Sequence, residues 1–322
     1  MQIFNLTLSQ MLMMFSLMLL GFILRKKTNI PENAGTVLAK LETFIFVPAL
    51  SLFTQMTKCT IDNFKENAKL MLYGLIIIVV SVIASYPLSK LFVRKSENVK
   101  DSEYMQNIYK YALAFGNYGF MGNFIVLGVW GTDMFYKYSL FLFFVVAFCS
   151  SWGLYILIPK EQNVGILANL KKGLLTPPII ALVLGMVIGL SGITKYVPQF
   201  MLSAIESAGD CQGPVAMVLA GFVIGGYNFK KLVLNKKVYF VTLLRLIILP
   251  AIMMLVMKLL GAGDELMTLA LIAFATPIGL NTIVYPAAYG GDTETGASMT
   301  MISHILSVAT IPLMYLLFIV VI

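Results

Sequence analysis

The sequence predicts an all-α polytopic membrane protein of ten transmembrane helices, arranged as two inverted five-helix repeats with broken, crossing helices four and nine. Three observations carry this. The 322-residue chain is 59% hydrophobic and only 12% charged, whereas a soluble domain is roughly one quarter charged. Its apolar runs approach the roughly 20 residues that cross a bilayer, and no connection between them is long enough for a soluble domain. Three sequence landmarks of the first half recur in the second at nearly one offset.

The first apolar run, 8–24, ends in Arg25-Lys26-Lys27. It has no basic segment before it and no small-residue cleavage site after it, so it reads as a retained span rather than a signal peptide. Nine more spans follow, at 34–56, 69–92, 106–130, 134–158, 174–192, 199–226, 238–260, 265–289 and 297–321. Residues 1–160 form the first five-span repeat and residues 161–322 the second.

The net charge of +8 does not describe a nucleic-acid surface, because the basic residues recur in short clusters between apolar runs. Alternate connections differ in Lys and Arg, fifteen against six. The richer side (Arg25–Lys27, Lys90–Lys110, Lys160–Lys172, Lys230–Lys237) is cytoplasmic by the positive-inside rule. That places a multi-pass protein in the cell membrane with both termini on the extracytoplasmic side. Cys59, Cys149 and Cys211 match no metal or redox spacing and read as packing residues or free thiols.

The fourth span contains FGNYGFMGNFIVLGVWG, residues 115–131, with five glycines and two asparagines. Glycine weakens a helix interior, and an amide in hydrocarbon needs a partner. A counterpart lies about 160 residues later in ATPIGLNTIVYP, around Pro277, Gly279 and Asn281. Pro48 and Pro214 lie 166 residues apart, Pro87 and Pro250 163 apart. Each repeat holds an odd number of spans, so the second is inverted across the membrane. Paired interruptions in two inverted halves are the sequence pointer to a transporter binding site, and non-helical backbone at membrane depth survives only where protein or a water-filled cavity covers it.

NYGFMG at 117–122, with GVWGTD beyond it, resembles the span-four motif of the auxin efflux carrier family. TPIGLNTIVYPAAYGGD at 276–292 resembles that family's span-nine motif, with Pro277, Asn281 and YGGD in place. The resemblance extends over essentially the whole chain. It implies a scaffold of spans one, two, six and seven and a mobile transport unit of the other six, in a fold related to bile-acid symporters and sodium/proton antiporters. It also implies small organic anions as substrates: auxin in the plant PIN-FORMED members, malate or malonate in bacterial ones. The family usually has proline where Asn123 stands here, so the position of the span-four break is left open.

Half-helix N-termini carry unpaired N–H groups and about half a positive charge. Second halves starting near Asn123 and Asn281 make an anion site without a buried lysine. Asn117 and Asn281 are expected to offer amide donors to a carboxylate and acceptors to its hydroxyl or proton, with Gly119, Gly122, Asn123, Pro277 and Gly279 as the other substrate-binding candidates. The first halves end near Phe115 and Ala275, where carbonyls suit a cation or a proton-bearing group.

Four ionisable residues within spans are candidates for coupling or support. Glu206 reads as a solvated entrance residue. Asp210 is either a proton site facing the cavity or the partner of Arg245. Arg245 either snorkels to the cytoplasmic surface or serves substrate or an ion pair. His304, the only histidine, is either a satisfied core residue or a titrating one.

No HExxH, GxSxG, Walker A or paired catalytic carboxylates occur, so no catalytic residue, metal site or cofactor is expected. The function expected is secondary transport of a small organic anion such as malate, malonate or an auxin-like acid, with a proton or sodium ion as the coupling ion. A channel, a transporter-derived sensor and a sodium-coupled symporter remain the alternatives, and a homodimer stays open.

Overall fold

The computed structural model describes residues 2–93, 99–159, 165, 168, 171 and 173–321. Among them every regular element is helical and there is no strand. The main helices are α1 (Gln2–Lys27), α2 (Ala34–Lys58), α3 (Ile61–Ser89), α4 (Val99–Ala114), α5 (Tyr118–Leu157), α6 (Pro177–Ser191), α7 (Gln199–Gly225), α8 (Lys236–Leu259), α9 (Asp264–Phe274), α10 (Asn281–Ala288) and α11 (Glu294–Val321). Seven of these are long and apolar enough to cross a membrane: α1, α2, α3, α5, α7, α8 and α11.

The ten runs read from sequence differ from these seven helices for local reasons. The fourth run divides into α4 and the start of α5, and the ninth into α9 and α10. The fifth continues directly from the fourth within α5, whose 40 residues would make a straight helix of about 60 Å, twice the hydrocarbon thickness. Gly131, with φ 77° and ψ −170°, joins two helices here in a conformation that only glycine adopts readily. The sixth run is the 15-residue α6, about 22 Å long. Pro177 and Pro178 start it at positions where no N–H is needed, and Gly192 in the left-handed region (φ 69°) ends it. The boundary at 160/161 lies outside the described residues, as do Arg94, Lys95, Lys160 and Lys172 of the charge count.

Wide π turns interrupt several helices, at Glu42–Phe46, Tyr118–Gly122, Cys149–Gly153 and Leu244–Ile248. Pro48 and Pro250 stand just after two of them, where a widened turn absorbs the missing N–H.

Glycines set the packing, because lipid gives no hydrophobic drive between helices and close backbone approach must do so instead. Gly21 and Gly221 bring α1 against α7, at the carbonyls of Val218 and Met18. Gly185 and Gly189 bring α6 against Leu52 and Gln55 of α2 and Cys59 just beyond it. Gly74 of α3 meets the Phe141 carbonyl of α5. A Cβ at most of these positions would run into main chain, which cannot move aside as a side-chain tip can.

Candidate functional site

Helix α4 stops at Ala114, and the chain resumes helical form at Tyr118, leaving residues 115–117 outside any helix. The Asn117 carbonyl accepts from the N–H groups of Met121 and Gly122, both at 3.0 Å. Asn123 has helical angles, φ −55° and ψ −47°. The second half-helix therefore starts five residues before Asn123, contrary to the sequence expectation. A side-chain N-cap requires extended backbone at the cap residue, and Asn123 does not have it. The second interruption runs from Ala275 to Leu280, and α10 starts at Asn281 as expected.

The two interruptions touch. Gly116 forms an isolated antiparallel bridge with Ile278, and the Asn117 N–H donates to the Pro277 carbonyl at 2.6 Å. The Ile278 N–H donates to Ser303 Oγ of α11 at 3.0 Å. Main-chain groups freed by the breaks thus satisfy one another, as buried backbone in an apolar setting must. Only glycine fits at 116: a Cβ there would lie 2.8 Å from the Thr276 carbonyl oxygen and 2.5 Å from Arg245 Nη2.

A cavity of about 1140 Å³, counted to its open mouth, opens beside this junction. Asn117, Gly119, Asn123, Gly279 and Asn281 line it, with Ser51 of α2, Ser139 and Cys149 of α5, and Thr176 before α6. Gly122 and Pro277 do not line it. A Cβ at Gly122 would instead strike the Tyr138 hydroxyl, and one at Gly119 would meet nothing within 4 Å. None of the described lining side chains is charged.

Both asparagines are held by protein partners. His304 is buried, and its Nδ1 lies 2.7 Å from the Thr300 carbonyl. A carbonyl only accepts, so Nδ1 carries the proton and Nε2 a lone pair. The Asn117 Nδ2 amide, 3.0 Å from Nε2, donates to it. Asn281 Nδ2 donates to the Tyr111 hydroxyl at 2.9 Å and lies 3.6 Å from Cys149 Sγ. One N–H of Asn117 is thus held by His304, and the Asn281 NH₂ by Tyr111 and Cys149. In this state Asn117 keeps one N–H and its Oδ1 for a ligand, and Asn281 its Oδ1.

Arg245 is 2% exposed, so it does not snorkel. Its Nη1 donates to the Leu113 carbonyl at 3.0 Å, and its guanidinium lies 5.9 Å from the centre of the Phe274 ring. It therefore caps the C-terminal end of α4, where the sequence left room for a cation, and its charge favours those carbonyls. Among the described residues no carboxylate lies within ion-pair range of it. Asp210 is exposed, in α7, and is not among the cavity-lining residues; it neither faces the cavity nor pairs with Arg245. Glu206 is likewise exposed.

Some contributors escaped sequence reasoning. Tyr111 and Cys149, 3.0 Å apart, hold Asn281. Gln212 of α7 reaches the Gly119 carbonyl at 3.4 Å. Glu42 is a further ionisable residue within a span: it is fully buried in the first wide turn, with no hydrogen-bond partner at either carboxyl oxygen. Its signal in the sequence is one acid inside an apolar run.

A profile of the family described as membrane transport protein matches residues 6–169 and 163–315. The chain is 23% identical over 310 residues to the uncharacterized transporter YfdV of Escherichia coli strain K12, covering 92% of this chain and 93% of the relative. It matches the proteins of the same name in Escherichia coli O157:H7 and Shigella flexneri equally. With both family motifs standing at the two interruptions, the chain belongs to the auxin efflux carrier family of membrane transport proteins.

Proposed function

We propose that this multi-pass membrane protein is a secondary transporter of a small organic anion, a mono- or dicarboxylate, carried in the cavity beside the two interruptions. One observation supports this above others: two broken segments, about 160 residues apart in the chain, meet through main-chain hydrogen bonds and place Asn117 and Asn281 on one cavity. The helix starting at Tyr118 and α10 starting at Asn281 add N-terminal partial charge at that point. Arg245 adds positive potential from behind Gly116.

In this reading the chain makes ten crossings in two inverted repeats, with segments four and nine crossing at the junction. Spans one, two, six and seven form the scaffold. Both termini lie outside, so labels near Lys236 react from the cytoplasm and labels near Lys65 and Lys195 from outside. The amide oxygens turned to the cavity also suit a cation, which favours sodium coupling as the second reading.

The test is uptake of radiolabelled mono- and dicarboxylates into proteoliposomes under imposed proton or sodium gradients. Saturable uptake driven by one gradient is expected. Flux that neither saturates nor responds to either gradient would replace the transporter reading with a channel.

A further inference from the structure

We propose that His304 is a proton-operated latch on Asn117, setting which end of that amide faces the cavity. The inference rests on the anion-transport reading for its consequence, but not for its geometry. Neutral His304 is fixed as one tautomer, because Nδ1 donates to the Thr300 carbonyl. Its Nε2 then only accepts, and Asn117 must present NH₂ to it. Oδ1 and only one N–H are then left for a ligand, and the bare oxygen repels a carboxylate.

A proton arriving from cavity water onto the Nε2 lone pair reverses this. Nε2–H now faces the amide and needs an acceptor, so the Asn117 side chain turns about its terminal torsion, a soft two-fold rotation. Oδ1 then accepts from Nε2–H, and NH₂ points into the cavity. No covalent bond changes except the new N–H. The site gains one donor and one buried positive charge, so a carboxylate and the proton strengthen each other's binding by equal amounts.

Asn281 has no such lock. Tyr111 O–H and Cys149 S–H can each donate or accept, so its amide reverses without a proton. The latch belongs to one break alone.

Other titratable groups around His304 are accounted for. Arg245, from the wide turn of α8, lies behind Gly116 and opposes the added charge when the cavity holds no anion. Tyr111, Tyr118, Tyr285 and Cys149 line or border the cavity side. The remaining charged residues on helices packed against α11 sit toward helix ends: Arg25, Lys26 and Lys27 of α1, Lys236, Lys237 and Lys258 of α8, and Asp264 and Glu265 of α9. Lys230 and Lys231 lie on the short helix Phe229–Leu234.

The chain's single histidine makes the test direct. Protein labelled with ¹⁵N-histidine and purified on a tag free of histidine gives one pair of ring signals. Without ligand at about pH 7.5, where an unperturbed histidine is neutral, Nδ1 is expected protonated and Nε2 bare. Saturating malonate, or acid, is expected to protonate both. Malonate affinity should rise about tenfold or more on acidification, the worth of one hydrogen bond to a charged group, and fall again as pH rises through the histidine titration.

In His304→Gln, whose amide can present either end to Asn117, binding should persist with the pH dependence flattened. In Asn117→Ala most of the pH-dependent gain should vanish, whereas a charge acting alone would keep it. An Nε2–H tautomer in ligand-free protein, a ring unchanged by bound malonate, or a full pH response in Asn117→Ala would each overturn the latch. If no carboxylate binds at all, the anion reading fails instead, and the ligand-free tautomer still decides the latch.

Discussion

The two interruptions carry the same residue at the same task in different company. Asn117 leans on an imidazole whose other nitrogen is pinned by a main-chain carbonyl, so its amide has one permitted orientation. Asn281 leans on a hydroxyl and a thiol, which accept or donate with equal ease. Two asparagines in two touching breaks thus become chemically unequal through residues far away in the chain. On the proposed latch one break is locked and proton-dependent; the other is free. What the comparison teaches is that like side chains in two like breaks can be set to different tasks by their surroundings.

The largest effect expected concerns what joins the breaks. Gly116→Ala forces a Cβ against the Thr276 carbonyl and the Arg245 guanidinium; overpacking of this kind costs about 1–3 kcal/mol and lowers the thermal midpoint in detergent. Gly279→Ala meets only ordinary contacts, the nearest at 3.4 Å, and should unfold close to wild type. Equal losses at the two glycines would erase the asymmetry.

Next come the amides. Asn117→Ala and Asn281→Ala should each weaken carboxylate binding roughly tenfold to a hundredfold, as loss of a charge-assisted hydrogen bond does. Binding measured across pH separates them: only the Asn117 variant should change the shape of the profile.

A smaller change tests the free break. Tyr111→Phe removes the main partner of Asn281 Nδ2 and leaves the thiol at 3.6 Å. About 1 kcal/mol is at stake, a few-fold in affinity, uniform across pH. A pH-dependent loss would show that the second break is also proton-linked.

The smallest effect is expected at Asp210→Asn. The residue is exposed and outside the cavity lining, so gradient-driven uptake should stay within about 0.5 kcal/mol of wild type, as for surface substitutions generally. Loss of pH-driven accumulation in this variant would move coupling away from the breaks altogether.

Much of this was legible in the sequence. Clustered Gly, Asn and Pro betray interrupted helices because those residues act on the backbone locally. Asn281 as a helix start followed from that logic. The same logic failed at Asn123, because the carbonyl of Asn117 had already begun the helix one and a half turns earlier. The service of His304 and Arg245 to the breaks was not legible: their partners lie 187 and 132 residues away, and no local pattern encodes such contacts. Asp210 was misplaced because a helical pattern shows which residues share a face but not what that face packs against. The joining of α5 through Gly131 was hidden by a connection too short to leave a polar gap.

The bridge between Gly116 and Ile278 has a further consequence. It is made of peptide groups, among the stiffest parts of a chain, and it sits between the two asparagines. In a transporter built this way, the distance between the two amides is a ruler written in main chain. It keeps its length whichever side of the membrane the cavity opens to, so the size of ligand accepted on loading is the size released on delivery.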